Sequence, residues 1–138
     1  MSDTLPTVPE LIPHRDPMIF LQHLTQLSSE SVQARTYFPQ GALGRDGIEP
    51  SNAWSLEIVS QACAAFIGHN CQEEGYRQGR LIKATNWILE QTTIPLHEEL
   101  TVEATLTMSS SLGLFVFTGT LASNSQRLAH GQISILAQ

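Results

Sequence analysis

Two short stretches hold the residues whose types and spacing carry chemical potential. In Ala53 to Cys71, AWSLEIVSQACAAFIGHNC, a single carboxylate, Glu57, is followed four residues later by the carboxamide of Gln61. Helical spacing sets Glu57, Gln61, Ala64 or Ala65 and Gly68 along one face. That face is polar at one end and small-sided along its length, as suits the wall of a narrow ligand channel. A second reading stays open: Glu57 is a first-turn acid satisfied by the helix start, and the small residues simply admit a strand. The other stretch is Pro13 to Met18, PHRDPM. Its two prolines fix the backbone on both sides of His14, Arg15 and Asp16, so these three polar groups sit on a stiff loop.

The elements that position these residues follow from the patterning. Trp54, Leu56, Ile58, Val59, Ala62, Cys63, Ala65, Phe66 and Ile67 cover most of a helix surface rather than one stripe, and a helix apolar on nearly all sides is buried. Val8 to Ile12 makes one helical turn with Thr7 as its cap and Pro9 in its first turn. Strands are predicted over residues 18–27 and 31–38, hairpinned through the Ser28 to Ser31 turn. The long connection from Pro39 to Asn52 delivers the chain to the helix, with Ser51 or Asn52 as candidate caps.

Four more strands are predicted over residues 80–89, 99–109, 113–123 and 128–137, all rich in β-branched and aromatic residues. In the second of these, Leu100, Val102, Ala104, Leu106 and Met108 alternate with Thr101, Glu103, Thr105 and Thr107. That predicts a sheet with one covered and one wetter face. Gly131 marks a bulge or a close backbone approach. The fold class is therefore α+β: a curved antiparallel sheet of about six strands wrapped around one long central helix, which is the hotdog arrangement. Residues 1–138 are expected to form one domain.

Composition narrows the function classes. A net charge of −6 argues against a general nucleic-acid binder. Only 14% of residues are charged, which points to surface lost to a subunit interface. No secretory pattern opens the chain, and no stretch reads as a membrane span. Cys63 and Cys71, eight apart on one helix, lie roughly 12 Å apart by helix rise, too far for a disulfide. They read as apolar groups in a reducing compartment, the cytoplasm. No metal-ligand spacing occurs.

PHRDPMIFLQHL resembles the opening of the 3-hydroxyacyl-(acyl carrier protein) dehydratases of the hotdog superfamily, where Pro-His-Arg-aromatic-Pro leads into the first strand. SLEIVSQACAAF is similar to that family's central helix, with its catalytic Glu and the Gln four residues on. The nearest resemblance is to the dehydratase-like subunits of aryl-polyene and fatty-acid-like biosynthesis. It implies an acyl thioester substrate carried on the phosphopantetheine of an acyl carrier protein or coenzyme A, and no other cofactor. It also implies a homodimer or a heterodimer with another hotdog subunit, because hotdog sites form between two chains.

Glu57 then matches the catalytic acid, and Gln61 matches the following Gln on the substrate side. The family's histidine would fall near Leu43, yet residues 38–52 contain none. Three arrangements stay open. His14 takes the base role, oriented by Asp16; a partner chain supplies the histidine; or the chain is a non-catalytic half that shapes the acyl tunnel. Against the first, His14 also reads as a loop-packing residue and Asp16 as a turn cap. Trp54 lines the tunnel or joins the core, and His23, His69, His97 and His130 read as structural or surface residues. Hydrolysis of the thioester, with Glu57 directing a water, is the alternative chemistry.

Overall fold

The computed structural model describes residues 5–12, 19–38, 48–76, 79–124 and 126–138. The elements are α1 (Val8–Leu11), β1 (His23–Leu27), β2 (Ser31–Thr36), α2 (Ser55–Asn70), β3 (Gly79–Leu89), β4 (Leu100–Ser109), β5 (Leu114–Ala122) and β6 (Arg127–Ala137). A single 3-10 turn, Asn52–Trp54, precedes α2. All six strands join one antiparallel sheet in the order β1-β2-β4-β5-β6-β3. The α+β architecture read from the sequence is the one observed.

The sheet wraps α2 because α2 has no polar flank to leave in water. Ile58, Val59, Ala62, Cys63, Ala65, Phe66 and Ile67 are all buried. They meet Val32 and Ala34 of β2, Leu100, Val102 and Ala104 of β4, Phe117 and Leu121 of β5, and Ile133 and Ile135 of β6 in one core. Phe66 and Phe117 meet edge to face at 5.4 Å. Gly119 of β5 lets the sheet close on the helix: a Cβ there would come within 2.5 Å of Val59 Cγ1.

The alternation along β4 holds for most of its length. Leu100, Val102 and Ala104 are buried while Thr101, Glu103, Thr105 and Thr107 are exposed. It fails at Met108, which is 53% exposed. The register against β5 shifts between Leu106 and Met108, and a shift of one residue sends a side chain to the other face.

The first strand is shorter than the span from residue 18 to residue 27 that the sequence predicts. Ile19 to Gln22 run outside the ladder. Phe20 gives its N–H to Gln61 Oε1 at 2.8 Å, and its carbonyl accepts from Thr36 Oγ1 at 2.6 Å. With its N–H taken by a side chain, this residue has no donor left for a neighbouring strand.

Candidate active site

Four residues before α2, the chain is clamped to the end of the sheet. Ile94 N–H donates to the Pro50 carbonyl at 2.9 Å, and Asn52 N–H donates to the Thr92 carbonyl at 3.0 Å. The Asn52 side chain is fully buried, and its Nδ2 donates to the carbonyls of Gln91 and Leu128, each at 2.8 Å. Its Oδ1 has no hydrogen-bond partner among the described residues. Ser51, one of the two candidate caps, is the one that caps: its Oγ accepts from Ala53 N–H at 3.1 Å. Asn52 instead ties the helix start to the ends of β3 and β6.

Ser55, in the first turn of α2, is also buried, and its Oγ accepts from Trp87 Nε1 at 3.2 Å. Trp87 reaches inward because β3 bulges between Thr85 and Ile88, with Asn86 at φ 53°. The bulge needs Gly131 opposite it. A Cβ at Gly131 would stand 2.7 Å from both the Asn86 carbonyl oxygen and Trp87 Cα. The sequence signal at Gly131 therefore reported a real approach, with the bulge on the neighbouring strand.

Glu57 lies half-buried in the same first turn, where the helix start favours a negative charge. Gln61 is fully buried one turn on, and its Nε2 donates to Glu57 Oε1 at 3.1 Å. Its Oε1 accepts the Phe20 N–H described above. Phe20 also packs between Trp54, edge-on at 5.5 Å, and Phe38, stacked at 5.6 Å. Trp54 is half-buried against the core.

The small-sided face of α2 is met by backbone over part of its length. Beyond Gln61, Ala65 is buried, and the Leu11 carbonyl of α1 lies so close to Gly68 that a Cβ there would be 2.3 Å from its oxygen. Small residues there admit a neighbour, as the second reading of that face held, but the neighbour at Gly68 is α1 rather than a strand.

His14 and Asp16 lie outside the described residues. His23 is exposed on β1. His69 sits in the last turn of α2, twelve residues and roughly 18 Å along the axis from Glu57. His130 Nε2 is 2.9 Å from Glu90 Oε1, which Arg127 also contacts. Among the described residues no group of His, Cys, Asp and Glu is arranged to hold a metal ion. Burial pushes the Cys63 thiol far up, and burial with the nearby Glu74 carboxylate raises Cys71; both are free. Sequence reading missed the Ser55 to Trp87 bond and the capture of Phe20 N–H by Gln61, because neither partner's type or spacing announces a tertiary contact.

The chain is similar to a chain of the dehydratase heterocomplex ApeI:P from Xenorhabdus doucetiae, with TM-score 0.86 and 15% identity, covering 98% of this chain and 93% of that one. A homologue of HP0420 from Helicobacter felis aligns with TM-score 0.71 and 16% identity over 100% and 93% of the two chains. A hypothetical thioesterase with coenzyme A from Streptococcus pneumoniae TIGR4 aligns with TM-score 0.64 and 8% identity over 84% of each. At these identities the likeness is one of fold, and that fold is the hotdog. No curated protein sequence matches the chain. No described helix is long and apolar enough to cross a membrane. A family model described as ApeP-like, ApeP dehydratase, matches residues 6–138. The chain belongs to the ApeP-like dehydratase family.

Proposed function

We propose that this chain is a 3-hydroxyacyl thioester dehydratase that works as one half of a hotdog pair. The observation that carries the reading is Glu57: a half-buried carboxylate at the start of the long helix α2, held on one oxygen by a fully buried amide. Dehydration takes a proton from C2 and hydroxide from C3, so one group must accept a proton and another must give one. Glu57 gives its proton to the departing 3-hydroxyl, which leaves as water. His14, steadied by Asp16, takes the C2 proton, because the stretch before the helix holds no histidine. Proton exchange with solvent resets both groups. Amides at the start of α2 polarise the thioester carbonyl, and Trp54 borders the acyl chain.

The acyl group is carried on phosphopantetheine, of a carrier protein or of coenzyme A, with no metal or redox cofactor. The second hotdog chain pairs along β3. This strand is the last in the sheet order and bonds to β6 on one side. It leaves Leu81, Ile82, Ile88 and Leu89 between 38% and 51% exposed. A long apolar edge of that kind invites pairing with another chain. The ApeI:P complex supports a non-identical partner.

The test is loss of water from a 3-hydroxyacyl thioester, on coenzyme A and on a carrier protein, followed by mass. The wild-type chain, Glu57→Gln and His14→Ala run in parallel, each alone and with a second hotdog subunit. Turnover that both substitutions abolish supports the assignment. A His14→Ala chain that keeps wild-type turnover sinks the role given to His14, and release of the free acid would make the protein a hydrolase.

A further inference from the structure

Trp87 reaches the start of α2 through three departures from a regular ladder. Its strand bulges between Thr85 and Ile88. Asn86 takes φ 53°, a left-handed backbone that few side chains adopt and that asparagine tolerates better than most. Across the ladder Gly131 leaves room for the ring: a Cβ there would stand 2.9 Å from Trp87 Cε3. Together these turn the indole inward, and its Nε1 donates to Ser55 Oγ at 3.2 Å. Trp87 is only half-buried near the sheet edge, where water could have served its N–H. Ser55 is 0% exposed and stands two residues before Glu57. Trp54, at the N-cap of α2, makes no side-chain cap bond. The sheet instead holds the helix start through Trp87 and, three residues before Ser55, through Asn52.

We infer that Trp87 is a positioning residue: it fixes the first turn of α2 from the strand on which the second chain docks, and it acts through Ser55 rather than by touching the substrate. Ile88 and Leu89, 48% and 47% exposed, follow it directly on β3, the last strand in the sheet order. A chain that pairs along this edge therefore bears on backbone one residue from the indole. Ser55 moves with the turn that carries Glu57. A small shift of that turn misaligns the reacting groups and slows turnover, while the contacts that bind the acyl chain stay in place. The role rests on the dehydratase reading and on pairing along β3.

Two conservative substitutions break the bond from opposite ends. Trp87→Phe keeps a ring in the bulge and removes the donor; Ser55→Ala removes the acceptor. Hydrogen exchange of the backbone amides of residues 55–58, measured in the full chain, needs neither turnover nor a partner. Each substitution is expected to speed that exchange about fivefold, with the amides of β4 unchanged. The double variant is expected to match the single ones, because one and the same bond is lost in all three. Unchanged exchange at the helix start in both folded variants would overturn the inference whatever the activity.

Kinetics with a second hotdog subunit present, well below Tm, supply the readout that packing alone would not move. Both substitutions are expected to lower kcat about fivefold with KM within twofold. A lowered Tm with unchanged kcat would overturn the role, leaving the bond as packing of the strand. A raised KM with unchanged kcat would overturn it too, by setting Trp87 against the substrate. The chain has two tryptophans, so the Trp87 indole N–H resonance is assigned by its loss in Trp87→Phe. It is expected to shift when the second subunit binds, and a signal that stays in place would refute the link to the docking strand. A wild-type pair that removes no water from the thioester would sink the dehydratase reading instead, and the exchange measurement would still decide whether Trp87 fixes the turn.

Discussion

Adding one methyl group at Gly68 sets two opposing effects against each other. Gly68 lies inside α2, two residues before its end. In a helix interior, alanine is favoured over glycine by about 1 kcal/mol. Against this, the new Cβ would lie 2.3 Å from the Leu11 carbonyl oxygen, 3.1 Å from the Leu11 carbonyl carbon and 3.3 Å from its Cα. These Leu11 atoms are backbone, so no rotamer change relieves the overlap, and α1 must move by about 1 Å to restore a normal contact. That movement loosens Val8 and Ile12, which are only 2% and 3% exposed, and full exposure of such side chains costs about 1.5–3 kcal/mol each. The overlap outweighs the propensity gain. Gly68→Ala is expected to destabilise the fold by about 1–3 kcal/mol and to lower Tm by about 4–10 °C. Calorimetry or thermal circular dichroism reads this directly. A Tm that rises by about 3 °C, the outcome if propensity acted alone, would refute the seating of α1 on α2. Activity well below Tm should fall too, since α1 precedes the segment that carries His14.

Asn52→Ala is expected to cost about 1–3 kcal/mol in denaturant unfolding, because the part-buried Gln91 carbonyl and the buried Leu128 carbonyl both lose the Nδ2 donor. Asn52→Asp should cost more, since it turns an acceptor toward those carbonyls; an Asp variant as stable as wild type would refute the orientation. The buried Cys63 thiol should resist a thiol reagent at pH 8 until the chain unfolds, and Cys71 should react first. Because burial raises both thiols in the folded chain, the unfolded chain loses these protons first. Stability should therefore be unaffected by them below about pH 9 and decline above it, by about 1.4 kcal/mol per pH unit for Cys63. Denaturation midpoints between pH 8 and 10 check the sign, and Cys63→Ala should flatten the decline.

Much of the fold was legible from local patterning. The run from Trp54 to Ile67 is apolar in every direction, which only a surrounded helix tolerates, and among the described residues no second long helix surrounds it. Alternation in Leu100 to Ala104 told the two faces of β4 apart. The same rule misplaced Met108, because a bulge changes the phase without leaving a mark in the residues themselves. Phe20 and Leu21 read as strand from their apolar character; they are buried as expected, but a side chain on the helix takes the Phe20 N–H that a ladder would need.

The candidate site divides in the same way. Glu57 and Gln61 share a face because helix geometry depends only on spacing, and the sequence alone determined that pairing. It also determined the absence of a histidine from residues 38–52, and the apolar character of Leu81, Ile82, Ile88 and Leu89. Only the tertiary structure decided which way the Gln61 amide points, since that depends on a backbone N–H forty-one residues away. It alone made Asn52 a tie between three segments, brought Trp87 to Ser55 across the bulge opposite Gly131, and left the apolar strand at the edge of the sheet. Spacing along a chain settles contacts within a turn or a strand pair. Contacts between elements depend on the order in which strands join the sheet, and that order is a property of the packed core as a whole.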